Sequence, residues 1–185
     1  MKTGDIILFK EKSKSGWSLF VSFFTWSRYV HVGIVLKDPL FLNLKGLYLW
    51  ESVWLDTPDA EDHRKKFGVQ VSPLDERLTN GHAYIRKYKG PDFPIEELVA
   101  IHTCVYDKPY DIVPLDWIEA FLHVDPNPQK TKRFWCSALV GYILTKLHVL
   151  VSDTDWSILS PKYFSNFKNI NYGPVKHLTS NLVNE

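Results

Sequence analysis

The sequence predicts an α+β fold in which an antiparallel sheet packs on helices, all within a single domain over residues 1–185. Three observations predict it. Segments that read as strands crowd the first half of the chain, whereas the longer apolar helical runs fall in the second. A sheet that carries part of the chemistry, packed on helices that present the rest, is an α+β arrangement. The 185 residues, 45% hydrophobic and 15% aromatic, can bury one good-sized core, and nothing demands a second domain.

The elements follow in order. Gly4-Asp5-Ile6-Ile7-Leu8-Phe9 reads as the first strand, and the aromatic-rich stretch 17–26 as a short helix leading into the second. In Tyr29-Val30-His31-Val32-Gly33-Ile34-Val35-Leu36, alternation puts Val30, Val32, Ile34 and Leu36 on one face. Tyr29, His31, Gly33 and Val35 fall on the other, where Gly33 leaves room for something to approach. Residues 46–54 form a third strand, with Leu49, Glu51 and Val53 sharing a face. The charged run 56–66 reads as a solvated loop, and strands follow at 67–72 and 82–88. Pro94, with Glu96 and Glu97 behind it, starts a helix through about 106, since proline suits the first turn. A further helix is expected over 111–123. Asp125-Pro126-Asn127-Pro128 breaks the chain, and another helix runs from about 133 to 148. Residues 169–177 add a last edge strand.

Composition excludes several classes. With 22 basic and 21 acidic residues the formal charge is +1, which leaves no electrostatic footprint for nucleic acid. Two cysteines make no disulfide framework and point to a reducing compartment. Met1-Lys2-Thr3-Gly4-Asp5 does not read as a signal peptide. No uncharged apolar run approaches the roughly 18 residues a membrane span needs. The expectation is a soluble, cytoplasmic protein.

Chemistry concentrates on three residues. Cys136, in Phe134-Trp135-Cys136-Ser137-Ala138, falls at the start of an apolar helix. There the unpaired N–H groups and the positive end of the dipole favour thiolate. A free cysteine also packs well as a small hydrophobe. Glu51 lies between two aliphatic residues of its face, and a partly buried carboxylate is costly unless it is paired. A neighbouring imidazole satisfies it, and His31 is the candidate, although a strand histidine can equally be structural. Together the three supply a nucleophile, a base and an orienter. Asp5 is the competing carboxylate. Tyr29 offers a hydroxyl to substrate or an oxyanion, but also reads as a packed tyrosine; the Cys136 N–H is the safer oxyanion donor. Cys104, expected in mid-helix, reads as core. No metal-ligand spacing is found, and no metal or cofactor is expected.

The order His, acid, Cys, together with G-D-I-I-L-F, H-V-G-I-V, W-E-S, Lys108-Pro109-Tyr110-Asp111, W-C-S-A-L-V and Ser160-Pro161-Lys162-Tyr163-Phe164, resembles the circularly permuted papain-like hydrolases of the NlpC/P60 superfamily. These anchors span residues 4 to about 164. Among its branches the chain is most similar to the bacterial YiiX-like proteins and their poxvirus counterparts. The lecithin:retinol acyltransferase-like branch shares a tyrosine two residues before the histidine, as Tyr29 and His31 stand here. That branch usually carries a second histidine where this chain has Glu51.

The resemblance implies a permuted papain-like fold and a Cys136-His31-Glu51 triad. It further implies a thiol hydrolase or acyl transferase acting on an ester, thioester or amide of an apolar, lipid-like acyl group. Trp17, Trp26, Trp50, Trp54 and Trp135 lie close in sequence to the proposed catalytic elements. Most read as core; if several line a groove, it suits such a substrate. A peptidase or isopeptidase with the same triad, and a lipid- or protein-binding module without activity, are the alternatives.

Overall fold

The computed structural model describes residues 1–10, 28–53, 58–79, 82–111 and 131–178. The expected helix over 17–26, nearly all of that over 111–123, the 125–128 breaker and Trp54 lie outside them. The described residues form an α+β structure with a six-stranded antiparallel sheet and four α-helices. The strands are β1 (Ile6–Lys10), β2 (His31–Lys37), β3 (Leu47–Val53), β4 (Gly68–Pro73), β5 (His82–Arg86) and β6 (Lys176–His177). The helices are α1 (Leu74–Leu78), α2 (Ile95–Val105), α3 (Cys136–Lys146) and α4 (Pro161–Asn166). Short 3-10 turns occupy Leu40–Leu42 and Trp156–Ile158. None of the described helices is long and apolar enough to cross a membrane.

Strand order is β4-β3-β2-β1-β5-β6, so β1 to β4 make a meander and β5 closes on the other side of β1. Phe9 pairs with His31, Val35 with Leu49, and Glu51 with Gln70. The period-two geometry of strands then sorts the side chains. Ile6, Leu8, Val32, Ile34, Leu36, Trp50, Val69 and Val71 face the main core with α3. Ile7, Phe9, Val35, Leu49 and Ile85 face a second, smaller core under Leu74 of α1. His31 and Glu51 belong to this second face. The alternation read from sequence thus holds within β2 and β3. It stops short of Tyr29, which precedes the strand, packs in the main core and meets Tyr84 edge-on at 5.6 Å.

α3 is buried on every side from Cys136 to Leu144, as expected of a helix that is apolar all round. Gly141 lets the Trp156 turn approach: a Cβ there would lie 2.9 Å from Trp156 Cβ and 2.8 Å from Leu159 Cδ1.

Four expectations are corrected. The room at Gly33 is already filled, because a Cβ there would meet Leu49 Cγ at 2.7 Å. The described part of the 56–66 run is a solvated loop only in part: Pro58, His63, Arg64 and Lys65 are exposed, whereas Asp59 and Lys66 are buried. Lys66 is buried and holds Asp59 and Asp62, each at 2.8 Å, while His102 of α2 pairs with Glu61 at 2.9 Å. Buried charges persist when paired in this way. Cys104 is exposed on α2 rather than packed in the core, because Leu98, Ile101 and Val105 carry that helix's buried stripe. The last edge strand shrinks to Lys176–His177.

Candidate active site

β3 serves the site from both faces. On one, the Glu51 carboxylate is wholly buried and its Oε2 lies 2.5 Å from His31 Nε2. On the other, the Ser52 hydroxyl donates to the Phe134 carbonyl at 2.5 Å, two residues ahead of Cys136. Phe134 is held further by the incoming chain: its N–H donates to Pro109 O at 3.1 Å and its carbonyl accepts from Asp111 N–H at 3.3 Å. That segment is seated on β4, where Val69 N–H donates to Lys108 O and Tyr110 N–H to Phe67 O, both at 2.8 Å. Gly68 is required for it, since a Cβ would lie 2.1 Å from Lys108 O. The Lys108-Pro109-Tyr110-Asp111 motif therefore aligns the chain that leads into α3.

α3 begins at Cys136, with extended Trp135 as its N-cap and no capping side-chain hydrogen bond. The first intrahelical bond runs from Leu139 N–H to Trp135 O, which leaves the amides before it without helical acceptors. The start is pinned from behind, where Ser137 Oγ donates to Leu159 O at 2.6 Å. Cys136 is buried.

Cys136 lies close enough to His31 to act on its protonation. Each is the first residue of its element, so the two approach at the ends of β2 and α3. Glu51 occupies the Nε2 edge of the ring. Burial opposes a charge on His31, but Cys136, followed by Glu51, raises its pKa from 6.5 to about 9. Burial likewise opposes ionisation of Glu51. The hydrogen bond and charge of His31, the charge of Arg77 and the nearby Ser72 side chain outweigh it and hold the carboxyl below its ordinary value.

Arg77 escaped the sequence reading. Its Nε lies 2.7 Å from Glu51 Oε1 and its Nη2 donates to Oε2 at 3.2 Å. Its guanidinium stands 5.7 Å over the Phe9 ring, which in turn lies 5.6 Å from the His31 ring. The signal lay in Leu74-Asp75-Glu76-Arg77-Leu78 directly after β4, a turn too short to read as a helix. Tyr110 was seen only as part of a motif. It lies near Cys136, whose charge, after burial and together with that of Asp111, pushes its hydroxyl pKa well above 10. Asp5 is not the partner of His31: its carboxylate accepts from Tyr88 N–H at 2.8 Å and Lys2 N–H at 3.1 Å. Among the tryptophans, Trp50 is core and Trp135 is half-buried beside Cys136, with its Nε1–H donating to Leu159 O at 3.4 Å.

The fold and site define an α+β protein in which His31 contacts the buried carboxylate of Glu51, with Cys136 close enough to act on the imidazole. No family model matches the chain, and no curated protein matches it. Among solved structures, that of the metalloprotein YiiX from Escherichia coli O157:H7 is similar, at 22% identity and a TM-score of 0.48. The match covers 79% of this chain and 66% of that one, so the chain spans just under two thirds of that protein's length. Among the described residues here, no group of three or more His, Cys, Asp and Glu could hold a metal ion, so no ligand set can be named.

Proposed function

We propose that this chain is a cysteine-dependent hydrolase or acyl transferase of the permuted papain-like kind, acting on an ester, thioester or amide of an apolar acyl group. The observation that carries the reading is the imidazole of His31, held by the buried carboxylate of Glu51 within reach of the charge of Cys136. An imidazole beside a cysteine activates it as a nucleophile, because the thiolate is the form that attacks.

Cys136 Sγ adds to the acyl carbon, and the oxyanion is met by N–H groups at the start of α3. Collapse breaks the bond to the leaving group, which takes the proton from His31, and a thioester on Cys136 remains. Neutral His31 then takes a proton from water or another acceptor as that oxygen attacks the thioester. The acid or transferred ester leaves, and the thiolate–imidazolium pair is restored. Glu51 holds the ring by Nε2 throughout. The apolar rings near the pair, Phe9 against His31 and Trp135 beside Cys136, favour an acyl chain over a polar peptide.

The test is turnover of medium-chain acyl esters and thioesters beside a panel of peptide amides. Acyl turnover is expected, abolished in Cys136→Ala and His31→Ala and reduced but measurable in Glu51→Gln. Full activity in Cys136→Ala overturns the mechanism, and turnover of the peptides alone replaces the acyl substrate by a peptide one.

A further inference from the structure

We propose that Arg77 is a positioning residue of this site, holding the Glu51 carboxylate in the orientation that serves His31. The inference deepens the proposed triad and rests on it. A carboxylate at the end of a glutamate side chain rotates about its last bond, so one contact to an imidazole does not fix where its lone pairs point. Arg77 supplies the second and third contacts, Nε to Oε1 at 2.7 Å and Nη2 to Oε2 at 3.2 Å. The Nη2 bond to Oε2 is directional, while Nε faces Oε1 as an ion pair outside hydrogen-bond alignment; the planar guanidinium edge orients the carboxylate as a round ammonium does not. Oε2 is thereby shared between Arg77 and His31, whose Nε2 lies 2.5 Å away.

The local fold makes the arrangement rigid. α1 turns back immediately after β4, anchored by buried Leu74, and lays Arg77 over the sheet face that carries Phe9, His31 and Glu51. Phe9 braces the guanidinium at 5.7 Å and the imidazole at 5.6 Å. From β4, the nearby Ser72 side chain also favours the ionised carboxylate, and Gln70 stands opposite Glu51 in the ladder. Cys136 of α3 acts on the neighbouring His31. With Cys136 as thiolate, the signs alternate along Arg77, Glu51, His31 and Cys136, and each charge lies next to its opposite. A cation present only to neutralise a buried acid has no need to share the oxygen that the histidine uses.

The experiment compares the full chain with Arg77→Lys and Arg77→Gln. The short Nε2–H···Oε2 contact should give a far-downfield proton resonance, absent from His31→Ala. In Arg77→Lys that resonance should move upfield and kcat fall about tenfold with KM little changed. In Arg77→Gln the resonance should be lost, kcat fall about a hundredfold, and the acid limb of the rate profile shift upward as Glu51 loses a cation. Arg77→Lys, which keeps the charge, decides the matter if Arg77→Gln does not fold. A wild-type resonance and kcat in Arg77→Lys and in any folded Arg77→Gln overturn the proposal. The resonance needs no turnover. Loss of the triad reading, seen as full activity in Cys136→Ala, is therefore distinguishable from failure of Arg77 to position Glu51.

Discussion

Replacing Cys136 by alanine should lower the proton affinity of His31, and the size of the fall follows from the site. The rise from 6.5 to about 9 corresponds to roughly 3 kcal/mol in favour of the imidazolium, at about 1.4 kcal/mol per tenfold. Burial works against that charge, and Cys136 supplies the two foremost of the contributions that offset it, ahead of Glu51. With the sulfur gone, only Glu51 opposes burial, and the midpoint should drop by at least one pH unit. Ring-labelled NMR titration reads it directly, with His31→Ala assigning the resonance among seven histidines. The sign for stability follows, because the folded value lies above the unfolded one. His31's own contribution is complete below its ordinary 6.5 and disappears as pH rises through about 9. In Cys136→Ala the upper edge of that window should move down. A wild-type midpoint near 6.5, or the same raised midpoint with and without the sulfur, would refute the coupling between the two residues.

Other consequences are as concrete. Ser52→Ala removes the donor that holds Phe134 O, which keeps its bond from Asp111. Urea unfolding should therefore show a loss of about 1 kcal/mol, accompanied by a lower kcat/KM as the start of α3 loosens. Because Cys104 is exposed and Cys136 buried, iodoacetamide should reach Cys104 in the folded protein without affecting turnover. Inactivation should track modification of Cys136 in peptide mass spectra, and a Cys104→Ser variant should keep full activity. Gly33→Ala forces the buried Leu49 side chain aside and should cost about 1–3 kcal/mol in thermal or urea melts; an unchanged midpoint would show that the space is not in use.

The sequence by itself determined strands β1 to β5, helices α2 and α3, and the face of its own strand on which each of His31 and Glu51 lies. These rest on period-two and helical periodicity, which is local and survives in any tertiary context. The placement of Cys136 at a helix start was legible for the same reason, since an apolar run with a clear beginning marks its own first turn. The tertiary structure decided what covers each face. Arg77 could not be found from periodicity, because a five-residue helix leaves almost no pattern, and its role exists only once α1 folds back over Glu51. The burial of Lys66 among Asp59 and Asp62, the exposure of Cys104 and the filling of Gly33 by Leu49 have the same origin. Each depends on partners brought together by strand register and helix packing, and long-range contacts of that kind fix burial and charge pairing without leaving a local signature in the chain.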